Sequence, residues 1–149
     1  MNPRYFIESV FAWIYEYLNH ILEPKLVSSV PKDVQALFEV ARGAMAYGFF
    51  FYPIYTLAAQ QLFRVAEAAV IHKCKALGAI KSKEKFEKRI DRLINDGTIP
   101  KSELNRWKTI RKLRNIASHP DRQSIMTPGN AIGQLEGIAE QINSLFNGS

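Results

Sequence analysis

The chain has one cysteine in 149 residues, Cys74, so no intramolecular disulfide can form and the disulfide-stapled secreted scaffolds are excluded. It has no apolar run of membrane length. The nearest, Ala44 to Ala59, falls short of the ~20 residues that a span needs and is broken by Pro53, so it reads as core. The N-terminus lacks the charged start, short apolar stretch and small-residue cleavage site of a signal peptide, and a reducing, cytoplasmic setting is expected. Nowhere does the sequence show the apolar–polar alternation, or the Val, Ile and Thr enrichment between turns, that a sheet requires. Gly-rich phosphate loops, serine-nucleophile motifs and carboxylate metal clusters are also missing, which removes the common nucleotide-hydrolase and serine-hydrolase chemistries. No metal or cofactor is expected.

What remains is an ordinary globular composition, 47% apolar, 23% charged and 11% aromatic, enough for one compact core in one domain spanning 1–149. The net charge of +6 is uneven. Arg64 to Arg122 holds sixteen Lys and Arg against seven Asp and Glu, or +9, while the rest holds four against seven, or −3. A concentrated positive field favours phosphate-bearing partners; a solvated lysine-rich face is the equally weighted alternative.

Periodicity predicts an all-α bundle of five to six helices. Arg4 to Glu23 carries Ile7, Phe11, Ile14, Leu18 and Ile21 at spacings of three and four. Its apolar stripe exceeds what one bundle face needs and marks a possible dimer contact. Pro24 and Pro31 bracket a linker, Asp33 is placed to cap a second helix running toward Tyr52, and Pro53 should end or kink it. Ile54 to Leu77 is apolar on nearly every face, as the buried centre of a bundle would be, and Gly78 is its expected C-cap. A fourth helix is expected over Lys83 to Asn95 behind Ser82, a fifth over Glu103 to about Ser118 behind Ser102, and a last from Pro128 to Phe146.

The segment Arg114 to His119 is the one whose residues look placed for chemistry. On an ideal helix Trp107, Ile110, Leu113 and Ala117 form one stripe, and Arg114 falls within it. Desolvating a permanent charge costs several kcal/mol unless it is paired. Arg114 therefore needs an anion, an interface or a water-filled cleft, or else a structural ion pair in the core. Arg64 and Glu67 on the central helix are the expected structural pair, with Glu67 the best partner for Arg114.

Pro120 forces its predecessor out of the α region, so the helix should end near Ser118 and free His119 to turn back toward Arg114. Arg and His together supply what cleavage of an RNA phosphodiester by its own 2′-hydroxyl requires. His119 can move the proton, Arg114 can hold the phosphate bidentately, and Asn115 can orient phosphate or ribose. Lys108, Arg111, Lys112 and Ser118 are the expected RNA contacts. Acid and base work usually needs two groups, and a twofold dimer would bring a second His119. The alternative for His119 is a capping or solvent-facing loop histidine.

Other signals are weaker. His72 and Cys74 lack the third and fourth ligands of a zinc site and read as structural. Phe49, Phe50, Phe51 and Tyr52 suggest a base-stacking platform, but beside Pro53 and Ile54 they are expected to fill the core.

The run Leu113-Arg114-Asn115-Ile116-Ala117-Ser118-His119-Pro120 resembles the Arg-x4-His signature of the HEPN superfamily. The likeness extends to Arg64-x-x-Glu67 in a long apolar helix, the Asp96-Gly97-Thr98 turn, Arg111, and Pro128 opening a last helix that ends Ile142-Asn143-Ser144-Leu145-Phe146. It covers Ile54 to Phe146, leaving residues 1–52 as an N-terminal helical extension to a 54–146 core. The resemblance implies a bundle that dimerises with two motifs meeting in a cleft. In many members it implies a metal-independent endoribonuclease of toxin–antitoxin or phage-defence systems, with an antitoxin or other partner protein. Asp121 stands where one toxin subgroup carries a modifiable tyrosine, so that mode of silencing is not expected. Some members are binding modules, which leaves as the alternative a non-catalytic HEPN-like module that binds RNA, a nucleotide or a partner protein.

Overall fold

The computed structural model describes residues 2–78, 83–116 and 126–147, with the side chains of Asn115 and Ile116 outside the description. Six α-helices, and no strand among the described residues, make up the fold: α1 (Pro3–Leu22), α2 (Lys32–Gly48), α3 (Pro53–Ala76), α4 (Phe86–Asn95), α5 (Leu104–Ile116) and α6 (Pro128–Phe146). A 3₁₀ turn, Lys101–Glu103, leads into α5.

The central element is α3. Its composition leaves little polar surface to face water, and it buries Tyr55, Ala59, Leu62, Val65, Ala69 and Cys74 among others, packing against α2, α4, α5 and α6. Helices α2 and α3 run antiparallel: Asp33 meets His72 at 2.7 Å, the Gln61 amide donates to the Leu37 carbonyl at 3.2 Å, and Gly48 lies against the Tyr55 ring. Pro53 takes the first position of α3, where its missing N–H and fixed φ do no harm.

The first fifty residues join the same core. Tyr17, Ile21, Val30, Val34 and Phe38 are buried in one cluster with the side chains of α3 to α6. The Tyr17 hydroxyl donates to the Met45 carbonyl and lies 2.8 Å from the Tyr55 hydroxyl. Burial, together with the Tyr55 hydrogen bond, pushes the Tyr17 hydroxyl far above the usual tyrosine range, which keeps this buried group neutral. The linker after α1 is held from two sides. Arg42, only 7% exposed, donates from its guanidinium to the carbonyls of Ile21 and Pro24 and to the Glu39 carboxylate. Asn143 of α6 accepts from the Val27 N–H at 2.8 Å and donates to the Lys25 carbonyl at 2.8 Å.

Four sequence expectations change. Asp33 is not the N-cap of α2: Pro31 holds that place, and Asp33 sits in the first turn, where the helix dipole favours a carboxylate. Helix α2 stops at Gly48 rather than near Tyr52. The aromatics after it do not fill the core, since Phe50, Phe51 and Tyr52 are 65%, 59% and 53% exposed. They form the turn between two antiparallel helices, outside the layer those helices bury; Phe49 folds back with its ring 4.9 Å from Tyr17, and the Tyr52 ring meets Tyr55 edge-on at 5.8 Å. Helix α4 starts at Phe86, three residues late, because Lys83 is left-handed at φ +68° and cannot lie in a helix. The glycine expectations hold: Gly78 and Gly97 have φ +74° and +83° after α3 and α4.

Two predictions follow from these contacts. A methyl group at Gly48 would be driven into the Tyr55 ring. That overpacking penalty of about 1–3 kcal/mol outweighs the ~1 kcal/mol by which alanine favours a helix, so Gly48→Ala should lower the unfolding free energy measured in urea. The second concerns pH. The hydrogen bond from His72 holds the Asp33 carboxyl below its ordinary value of 3.8. A depressed carboxyl contributes stability above that value and loses it as pH falls through the lower folded one. Asp33→Asn should therefore destabilise at pH 6, with the difference from wild type shrinking in urea titrations carried below pH 3.8.

Candidate functional site

Gln60, Arg64 and Glu67 of α3 are spaced by four and three and therefore share one helical face. Helix α5 crosses this part of α3, with Trp107, Ile110 and Leu113 buried beneath it. Because α3 presents polar side chains at the level of the last turn of α5, the interface opens there into a cleft. Its volume is about 310 Å³ and its walls are Gln60, Phe63, Arg64, Glu67 and Arg114. A second hollow of about 270 Å³ shares Phe63, Glu67 and Arg114 and extends over Glu84, Glu87 and Arg111.

Arg114 lies on the α5 stripe, as the periodicity requires, yet it is exposed rather than desolvated. Its guanidinium stands 5.8 Å from the centre of the Phe63 ring, and Phe63 in turn packs against Phe86 at 5.4 Å. The side chain borders the cleft. The ion pair expected between Arg64 and Glu67 does not occur among the described residues. Both side chains border the cleft instead.

The expected RNA contacts are dispersed. Arg111 borders the second hollow but is engaged by Glu87 of α4, and the Lys108 ammonium lies 3.9 Å from Asp91. Lys112 faces the other way, into a largely apolar groove of about 400 Å³ between α5 and α6. Ser118 and His119 lie outside the described residues, as does the side chain of Asn115. Charge in the cleft is near balance, with Arg64, Arg111, Arg114 and Lys85 facing Glu67, Glu84 and Glu87. Glu84 is the member that sequence reasoning missed. One of its carboxylate oxygens takes a hydrogen bond from Arg92 at 2.5 Å, and the other is buried without a partner among the described residues. Gln60 and Phe63 were also missed, although the Gln60, Arg64 and Glu67 spacing was a signal available in an otherwise apolar helix.

The pair set aside as a metal site is split by the fold. His72 is directed at Asp33, whereas Cys74 is fully buried and its thiol is pushed up by burial, away from the reactive thiolate form. Among the described residues, His20, Glu23 and Glu136 bring ligand atoms within 4.8 Å of one another, but all three are exposed.

The chain matches a domain of unknown function (DUF4145) over residues 44–145 and belongs to that family. The match takes in the end of α2 and all of α3 to α5, so the whole cleft lies within it, while α1 and most of α2 do not. No curated protein and no solved structure matches the chain.

An exposed arginine over an aromatic ring contributes about 0.5–1 kcal/mol, whereas breaking a buried ion pair costs about 3–5 kcal/mol. Because Arg114 is exposed, Arg114→Ala should cost less in urea unfolding than the about 3–5 kcal/mol of breaking a buried ion pair, and a loss of that size would return this residue to an architectural role.

Proposed function

We propose that the chain is a metal-independent endoribonuclease of the HEPN type, acting as a toxin or phage-defence effector, with Arg114, His119 and Asn115 as its catalytic residues. The observation that carries this reading is the exposure of Arg114 at the cleft, five residues before His119 in an Arg-x4-His sequence. A guanidinium at an exposed cleft beside Arg64 has the charge and fork geometry that suit a phosphate. In the proposed reaction His119 removes the proton of the ribose 2′-hydroxyl. The 2′-oxygen attacks phosphorus, the bond to the 5′-oxygen breaks, and that oxygen receives a proton from a second histidine, the His119 of a twofold-related copy. The products are a 2′,3′-cyclic phosphate and a 5′-hydroxyl. Arg114 stabilises the charge that builds on the phosphoryl oxygens, and Asn115 orients the ribose.

The charge balance favours a second reading. With Arg111 on Glu87 and Lys108 near Asp91, less uncompensated positive charge is left to guide RNA than the sequence total suggests. That fits a non-catalytic HEPN-like module holding RNA, a nucleotide or a partner protein, with Arg114 as its anion contact.

The two readings separate on incubation of wild type and His119→Ala with a mixed RNA pool in EDTA. Cleavage by wild type alone, leaving 2′,3′-cyclic phosphate ends, is expected of the nuclease. Binding by both proteins without cleavage is the result expected of the module.

A further inference from the structure

The cleft at Arg114 carries both signs of charge. Arg64 and Arg114 border the first hollow, Glu84 and Glu87 border the second, and Glu67 belongs to both. Carboxylates repel a phosphate chain, so they weaken a cleft that takes RNA by its phosphates alone. Two of the three have acceptor capacity that the fold leaves unused. The half-buried Glu67 side chain makes no hydrogen bond or ion pair among the described residues. The Glu84 side chain is only 10% exposed, and the oxygen that Arg92 does not engage has no partner among the described residues. Glu87, by contrast, is held by Arg111. A carboxylate oxygen withdrawn from water without a donor costs free energy until a ligand supplies one.

The surroundings restrict what that ligand can be. Arg64, Lys85, Arg111 and Arg114 border the same space, so a further positive charge is disfavoured. Glu67, Glu84 and Glu87 do not all bring an oxygen within 4.8 Å of one another, so they do not converge on a single ion. A neutral, planar edge with N–H groups side by side meets what is left. Guanine is the RNA base that presents one, because its N1–H and its N2 amino group are adjacent and match the two oxygens of a carboxylate. Adenine and cytosine set a ring acceptor beside their amino group, and uracil flanks its one N–H with carbonyls, so each presses a lone pair against a carboxylate.

We propose that Glu67 and Glu84 select guanine at the nucleotide beside the phosphate held by Arg114. Glu67 accepts from N1–H and from one N2–H, and the unengaged oxygen of Glu84 accepts from the other N2–H. Both residues touch the base rather than the reacting atoms, so they set specificity and leave the chemistry to the Arg-x4-His segment. The inference rests on the reading of the cleft as an RNA site, and it gives the acidic half of that cleft a part its cations cannot play.

The test compares two oligouridylates, one with a central guanosine and one with a central inosine, which differ only in the N2 amino group. Affinity is read by fluorescence anisotropy of the labelled RNA with full-length His119→Ala protein, and cleavage is mapped with wild type in EDTA. A hydrogen bond to a charged acceptor is worth about a tenfold difference in affinity, so the guanosine RNA should bind about tenfold more tightly, and wild type should cut beside guanosine. Adding Glu67→Gln, with its helical circular dichroism unchanged, should bring the ratio of the two affinities close to one, which loss of a merely structural residue would not do. Equal affinity for the two RNAs overturns the guanine assignment, as does a ratio that Glu67→Gln leaves unchanged; cleavage spread evenly along both RNAs overturns it while upholding the nuclease. A guanosine preference in binding without any cleavage overturns the nuclease and leaves base selection standing in the non-catalytic module. RNA that is neither bound nor cut overturns both.

Discussion

The fold depends on one constraint, that a 24-residue helix with little polar surface must be covered on almost every side. Four of the other five helices pack on α3. The exceptions on α3 become informative for this reason. Where Gln60, Arg64 and Glu67 interrupt the apolar surface, the covering helix cannot close down on it, and a cleft opens at that level. The site is thus a consequence of three polar side chains on one face of a helix whose other faces are largely committed to the core.

Two arginines show how differently one side chain can be used. Arg42 is buried with its donors spent on two backbone carbonyls and a carboxylate, and it fixes the path of the chain between α1 and α2. Arg114 is exposed over an aromatic ring. Nothing in the local sequence separates the two roles. Each arginine lies on the apolar stripe of its helix, and the outcome is set by what the opposing element presents.

Legibility in the sequence follows the range of the forces involved. The starts of α3 and α6 and the ends of α3 and α4 were readable, because proline and glycine act on their own backbone whatever surrounds them. The start of α4 was not, since the left-handed Lys83 has no residue-type signal. The exposure of Phe50 to Tyr52 was not readable either. It depends on α2 and α3 being antiparallel partners whose connecting turn lies beyond the layer they bury, and this is a property of the pair. For the site, periodicity placed Arg114 on the correct face of α5, but a wheel gives direction only. Glu67 was readable as a residue facing it, but that Gln60 stands there too, and that Glu84 joins them from beside α4, required the tertiary arrangement.

The bridge made by Asn143 has a consequence for biosynthesis. One amide side chain from the final helix satisfies two backbone groups of the segment that follows the first, across 116 and 118 residues. The segment after α1 is therefore tied down by a residue synthesised more than a hundred positions later, and Tyr17 and Ile21, which the core will bury, wait uncovered through that interval. The order of synthesis runs opposite to the order of locking, which makes the nascent chain dependent on being shielded until α6 has emerged.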